Sequence, residues 1–203
     1  MAPTQRVRFA GIRYLIDLVL ILASASPRRH ALLSAAGIDH IVRPASVLEQ
    51  REPGESPTAF VQRTAEAKAR AVLSAGQTAP EDIILGADTE VCLENEVFGK
   101  AASAEDAARM LRRLSGRDHW VHTGICLLSA ERCILDVSTT RVFFVHLTES
   151  EIREYIRTGE PEDKAGAYAI QGLASKFIHS IEGCYDNVVG LPVSLVYQHL
   201  KTL

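Results

Sequence analysis

Residues 19–37 read VLILASASPRRHALLSAAG, Val19 to Gly37, and two incompatible readings of this stretch lead to two different proteins. In the first it ends a secretion signal: Arg6, Arg8 and Arg13 come without acids, an apolar run follows, and Ala23-Ser24-Ala25-Ser26 imitates an A-x-A cleavage site. Asp17 argues against that reading. In the second, a buried strand runs from Leu18 to Ala23, and a short loop leads into a helix. Ser26 is placed to cap that helix with its hydroxyl, and Pro27 suits the first helical position, where no N–H is needed. Gly37 supplies a C-terminal stop, and Ala31, Leu32, Ala35 and Ala36 give a modest apolar stripe. Strand, loop and helix account for every residue of the stretch, and cleavage within it would delete the strand.

The pair Arg28-Arg29 falls in the first turn of this helix. Cations there oppose the helix macrodipole by about 0.3–1 kcal/mol each, which is unfavourable unless an anion sits beside them. Backbone N–H groups at a helix start already bind anions, and two guanidinium groups add forked hydrogen bonds suited to a phosphate chain. A polyphosphate pocket and an ordinary capped surface helix both remain open on this stretch alone.

The chain has 203 residues, enough for one substantial domain with a good core, built as two lobes. A formal charge of −3 gives no electrostatic footprint for nucleic acid. No apolar run approaches the roughly 18–20 residues of a membrane span. Cys92, Cys126, Cys133 and Cys184 show no CxxC spacing and fall in apolar, strand-like surroundings, so they read as reduced packing residues of a cytoplasmic protein. Residues 1–16 lack a pattern and are read as an N-terminal extension, either disordered or the product of a misplaced start, ahead of a single domain over 17–203.

The remaining elements alternate. Ser56-Pro57 repeats the helix start and leads to about Ser74, with Gly76 as the stop. Asp82 to Ala87 reads as a buried strand, and Val91–Leu93 with Glu96–Phe98 as a hairpin. Ser103 with Asp106 opens a helix closed at Gly116, and Thr148 with Glu151 opens another closed at Gly159. Strands are expected over Trp120–Leu128, Cys133–Leu147, Tyr168–Ile170 and Phe177–Ile181, before a last helix from about Val193. The class is α/β with a mixed sheet.

Several side chains stand out within that frame. Asp88 ends the apolar strand in ILGADT, a carboxylate at the sheet edge where ligands sit in open α/β sheets, or else an Asx-turn opening the next loop; Thr89 beside it either caps the turn or touches a ligand. Val61, Ala65, Lys68 and Val72 follow helical spacing, so Lys68 lies on the apolar stripe, where it either snorkels or aims its ammonium into a cleft. The segment GEPEDKAGAYAIQG, Gly159 to Gly172, mixes glycines with Lys164 and Gln171, an amide able to read the edge of a base. Glu49, in the polar stretch VLEQREPGES, gains interest as a second carboxylate sharing Mg²⁺ with Asp88. The seven histidines show no metal-ligand spacing and are given no catalytic role.

Taken together, LASASPRR, ILGADT, Lys100 after the hairpin, LSGRDHWVHTG, GEPEDKAGAYAIQG and NVVGLP resemble, in order and spacing, the Maf family of nucleotide pyrophosphatases, and within it the subgroup acting on dTTP and UTP. The resemblance implies an elongated mixed α/β fold of the Maf and ITPase-like kind with a central nucleotide-binding cleft, a divalent metal (Mg²⁺ or Mn²⁺) on Glu49 and Asp88, and frequently a homodimer. It implies hydrolysis of a nucleoside triphosphate to the monophosphate and pyrophosphate, with Asp88 as proton acceptor. Arg28, Thr89 and Gln171 would set base preference, while Ser24, Arg29, Glu49, Lys68, Lys100 and Lys164 surround the phosphates and metal. The alternatives are a 7-methyl-GTP pyrophosphatase and a nucleotide-binding regulator of division with little turnover. Two positions depart from the family pattern: Glu90 replaces an apolar residue and is expected to face away from Asp88 if the strand continues, and Ala101 replaces a proline, loosening the loop that presents Lys100.

Overall fold

The computed structural model describes residues 19–94 and 96–203, so the extension read over 1–16 lies outside the described residues. Seven strands form one sheet in the order β2-β1-β3-β5-β6-β7, with β4 paired to β3 off this path. They are β1 (Leu20–Leu22), β2 (Ile41–Val42), β3 (Ile83–Leu93), β4 (Glu96–Phe98), β5 (Asp118–Leu128), β6 (Cys133–Phe144) and β7 (Ile178–Glu182). β1 lies parallel to both β2 and β3, whereas β4 and β7 run antiparallel to β3 and β6, so the sheet is mixed. Helices α1 (Pro27–Ala35), α2 (Pro57–Ser74), α3 (Ala104–Leu114), α4 (Glu149–Arg157), α5 (Tyr185–Val189) and α6 (Val193–Leu200) complete the α/β fold, with a 3₁₀ turn at Leu173–Phe177.

The chain divides into two compact units, one comprising the chain through Asp88 with Gly124–Val137 and Val193–Leu203, the other Thr89–Thr123 with Ser138–Pro192. In the first, Ile21, Ile84, Cys126 and Leu128 of the strands, with Ala23 just past β1, pack with Ala65, Ala69 and Val72 of α2. Helix α2 begins as its sequence requires: Ser56 accepts the Ala59 N–H and Pro57 stands at the first position. Its buried face is Phe60, Val61, Thr64, Ala65, Lys68, Ala69 and Val72. This face lies directly on the sheet, because a Cβ added at Gly86 would meet the Ala65 carbonyl oxygen at 2.0 Å and one at Gly124 would meet Val61 backbone at 2.4 Å. Helix α1 closes as a Schellman motif, with Gly37 at φ +67, its N–H on Ser34 O and the Ile38 N–H on Leu33 O.

In the second unit α3 packs on α4, tied by Arg112 donating to both oxygens of Glu149 at 2.7 and 2.9 Å. Thr148 and Glu151 form the expected capping box at the start of α4. His119, Phe144 and Tyr168 meet edge to face, with the His119 ring nitrogen 2.8 Å from the Tyr168 hydroxyl.

Local expectations are corrected at these places. Ser26 occupies the N-cap of α1, but its hydroxyl makes no capping bond; the Ser24 hydroxyl instead accepts the Ser26 N–H at 3.3 Å. The buried side chains of α1 are Arg29 and Leu33, one turn apart, not the alanine-rich stripe: alanines carry too little apolar area to decide a helix's orientation. Asp88 does not end its strand, since Thr89–Leu93 continue β3 into its hairpin with β4; side chains two apart on a strand share a face, so Glu90 lies on the side of Asp88 rather than opposite. Tyr168–Ile170 is no strand; the Ala169 N–H goes to the Tyr155 hydroxyl at 3.2 Å instead of to a ladder, and Phe177 closes the 3₁₀ turn before β7 begins. Cys133 is exposed rather than packed, although all four cysteines are free thiols.

Candidate active site

In the first unit five of the sequence-selected side chains converge. Lys68, carried into the interior on the apolar face of α2, places its ammonium 2.6 Å from Asp88 Oδ1 and 2.6 Å from Glu49 Oε1, and donates to the Ala87 carbonyl at 3.5 Å. Its three donors are thereby all used. Ser24, two residues beyond β1, accepts from Arg29 at 3.0 Å. Ser24, Arg29, Lys68 and Asp88 retain 6%, 8%, 7% and 5% exposure, so the cluster is largely withdrawn from water, with Glu49 as its more open member.

Burial dominates the electrostatics. It raises the Asp88 carboxyl above the ordinary carboxylate range, against the opposing pull of Lys68 and Arg29. It lowers the Arg29 guanidinium from its ordinary value, with Asp88 and Glu49 pulling the other way and the neighbouring Arg28 adding to the fall; a guanidinium still stays charged. Two cations and two carboxylates thus sit within electrostatic reach of one another. The unfavourable Arg29 at the start of α1 is answered, in part, by Asp88 and Glu49.

Glu49 arrives from a segment without regular structure, and that segment is tethered to α2. Arg63 donates to the two oxygens of Glu55 at 2.7 and 2.8 Å and to the Gln50 carbonyl at 3.0 Å, while Arg51 donates to the Glu55 carbonyl. The Arg63 pairing pulls the Glu55 carboxyl down to about 2.

The donor set fits a hard divalent ion. Asp88 Oδ2 is buried and has no hydrogen-bond partner among the described residues, while Oδ1 shares the Lys68 ammonium with Glu49. Magnesium sites on phosphate substrates use one or two carboxylates with the phosphates completing the shell. Among the described residues no group of three or more His, Cys, Asp or Glu side chains is arranged to hold a metal, so the protein's share would be this pair.

Arg28, half-buried in the first turn of α1, also belongs to the first unit, whereas Thr89, Lys100, Lys164 and Gln171 lie in the second. Thr89 is half-buried, its hydroxyl 2.9 Å from the Thr123 hydroxyl and 3.3 Å from the Gly190 carbonyl, to which it donates. Lys100 pairs by its backbone with Ala165, which brings it beside Lys164; the Lys164 ammonium donates to the Glu162 carbonyl at 3.1 Å. Gln171 is exposed in the turn before the 3₁₀ segment. Sequence reasoning missed the groups that hold these residues. Thr123 donates to the Asn187 carbonyl at 3.1 Å, and the fully buried Asn187 amide donates to Val121 O and the Thr140 hydroxyl at 3.0 and 2.9 Å. Glu160 accepts from the Tyr155 hydroxyl and from the Leu173 and Ala174 N–H groups at 2.9, 3.0 and 3.2 Å, fixing the turn that follows Gln171. The usable signal was that both lie inside quoted motifs, NVVGLP and GEPEDKAG, as polar residues with no assigned task.

The sequence model of the Maf-like protein family matches residues 19–203. A protein of Koribacter versatilis (strain Ellin345), named dTTP/UTP pyrophosphatase, is 48% identical over 190 residues, covering 94% of this chain and 97% of the relative. Proteins with the same name from Geobacter sp. (strain M21) and Pseudoalteromonas atlantica (strain T6c / ATCC BAA-1087) are 50% and 47% identical over 186 residues, each covering 91% of this chain and 95% and 97% of the relative.

Proposed function

The chain belongs to the Maf-like protein family, and from that premise we propose that it hydrolyses dTTP and UTP to the monophosphate and pyrophosphate. The observation that carries the chemistry is the buried Lys68 ammonium held between Asp88 and Glu49, with Asp88 Oδ2 left without a hydrogen-bond partner among the described residues. A carboxylate in that setting, oriented by a fixed cation and sheltered from water, is equipped to accept a proton from an attacking water. Arg29, fixed by Ser24 at a helix N-terminus, and Arg28 beside it supply the positive field in which a polyphosphate binds and negative charge on the leaving pyrophosphate is stabilised. Lys68 would stabilise the same charge once its carboxylate partners turn to substrate.

Glu49 and Asp88 would hold Mg²⁺ or Mn²⁺, which supplies charge neutralisation on the phosphates and acidifies bound water. Lys100 and Lys164 act on the polyphosphate, and Thr89 and Gln171 on the base. The protein acts in the cytoplasm, as a homodimer, on a small-molecule substrate. No helix among the described residues is long and apolar enough to cross a membrane.

The test is pyrophosphate release from dTTP, UTP, 5-methyl-UTP, CTP, GTP and 7-methyl-GTP, with Mg²⁺ or Mn²⁺ and with EDTA, by wild type and Asp88→Asn. Metal-dependent release from dTTP and UTP that disappears in Asp88→Asn supports the reading. Release from 7-methyl-GTP alone overturns the base assignment, and nucleotide binding without release overturns the enzyme.

A further inference from the structure

Two thiols outside the active site face each other in the first unit. Cys126 of β5 and Cys133, the first residue of β6, have their sulfurs 3.9 Å apart. Their surroundings differ sharply. Cys126 is fully buried in the core cluster with Ala65 and Ala69 of α2, whereas Cys133 is exposed beside the tight turn closed by the Ser129 N–H on the Arg132 carbonyl. On the same side of α2, Glu66 Oε1 accepts the Cys133 thiol hydrogen at 4.0 Å, and Arg70 binds that carboxylate at 2.6 Å. A charged pair therefore borders the exposed sulfur, which shields it less from water-borne oxidants than the apolar wall shields Cys126.

We infer that Cys126 and Cys133 form a reversible disulfide site, with Cys133 the sulfur that meets the oxidant and Cys126 the one that resolves it. With hydrogen peroxide as the oxidant, the Cys133 thiolate attacks one oxygen; the O–O bond breaks, giving Cys133 sulfenic acid and a hydroxide that takes up the thiol proton as water. Cys126 sulfur then attacks the Cys133 sulfur, the S–O bond breaks, and the hydroxyl leaves with the Cys126 proton as a second water. Two electrons pass from the thiol pair to the peroxide and one S–S bond forms. The sulfurs must close from 3.9 Å to about 2.05 Å, and the displacement falls on the strand end next to a surface turn, where backbone yields most easily. Burial, which keeps Cys126 a thiol well above the ordinary range, protects it from direct attack while leaving it in van der Waals contact with its partner.

The experiment exposes the reduced full chain to a small excess of hydrogen peroxide, alkylates remaining thiols after denaturation, and maps the digested peptides by mass. Expected is a Cys126–Cys133 crosslink lighter by two hydrogens than the dithiol, with Cys92 and Cys184 alkylated, and full recovery of both thiols in dithiothreitol. Cys126→Ala is expected to accumulate Cys133 sulfenic acid trapped by dimedone, and Cys133→Ser to leave Cys126 alkylated with no new crosslink. Wild-type Cys133 recovered as sulfinic acid with Cys126 still a thiol would overturn the proposal, as would a disulfide through Cys126 in Cys133→Ser.

Discussion

Replacing Gly86 with alanine tests whether α2 is held at the distance that makes the site. The added Cβ would stand 2.0 Å from the Ala65 carbonyl oxygen, 3.0 Å from its carbon and 3.1 Å from the Ala69 nitrogen. Contacts under 3.0 Å are essentially never seen for a real Cβ, so helix and strand must separate by about 1 Å. The obstacle is backbone, which no rotamer change relieves. Overpacking a core costs about 1–3 kcal/mol, and a rigid helix facing a central strand belongs at the upper end. At about 2–4 °C per kcal/mol for a chain of this size, a cost near ~3 kcal/mol lowers the melting temperature by about 6–12 °C. Lys68 lies on the same face as Ala65 and Ala69, so the shift pulls its ammonium from the 2.6 Å contacts with Asp88 and Glu49. A misplacement of about 1 Å in a catalytic group costs on the order of 10²-fold in rate. The assay is thermal denaturation followed by circular dichroism, together with kcat/KM for dTTP hydrolysis below the transition. Wild-type values for both would refute the reasoning, and so would rescue by a second change, Ala65→Gly, since that removes a side chain and leaves the clashing oxygen in place.

Three further outcomes are expected. Lys68→Met leaves two carboxylates without their shared cation; because the Glu49 side chain is 41% exposed, the loss should be about 2–3 kcal/mol in urea denaturation, below the ~3–5 kcal/mol of a fully buried pair, and a loss under about 0.5 kcal/mol would count against a buried bridge. Burial holds the His119 imidazole at about 3, below its ordinary 6.5, so the unfolded chain takes up a proton that the fold refuses: this share of stability is whole above pH 6.5 and drains as pH falls toward 3, by about 1.4 kcal/mol per unit. His119→Phe should flatten that stretch of the stability profile, and equal slopes in both proteins would remove His119 as its cause. Glu55, drawn down to about 2 by Arg63, contributes stability that is present above the ordinary 4.5 and lost as pH falls through 2; Glu55→Gln should lose less on acidification to pH 3 and need more Mg²⁺ at half-maximal rate, because the Glu49 segment is freed, and an unchanged Mg²⁺ requirement would show that the tether does not serve the site.

The elements legible in the sequence were those whose ends carry their own chemistry. Ser56-Pro57, Ser103 with Asp106, and Thr148 with Glu151 each start a helix through contacts within four residues, and the structure shows each of those caps formed. Where the deciding contact comes from far along the chain, local reading failed. Tyr168–Ile170 has strand composition, yet its backbone is claimed by Tyr155 on α4. Ser26 looked like the cap of α1, but its hydroxyl caps no helix N–H; its own backbone N–H goes instead to Ser24, which is held by Arg29 five residues on. Tyr185–Val189 is too short for its period to be read at all.

The site divides along the same line. Lys68 was legible as an anomaly because a lysine at apolar helical spacing must either snorkel or find an anion, and periodicity exposes the position without knowing the partner. Its partners lie 19 residues before it and 20 after it, on a loop and a strand, and only the close seating of α2 on Gly86 and Gly124 brings them within 2.6 Å. This makes the two glycines as much a part of the candidate chemistry as the carboxylates. A larger residue at either would keep every charged group in the sequence and still separate the ammonium from its anions, so the charge pattern alone underdetermines the site. Asn187 and Glu160 act in the opposite sense: as fixed polar anchors under Thr89 and behind Gln171, they have signatures indistinguishable from any loop asparagine or glutamate until their partners, 47 to 66 residues away for Asn187 and five to fourteen for Glu160, are in place.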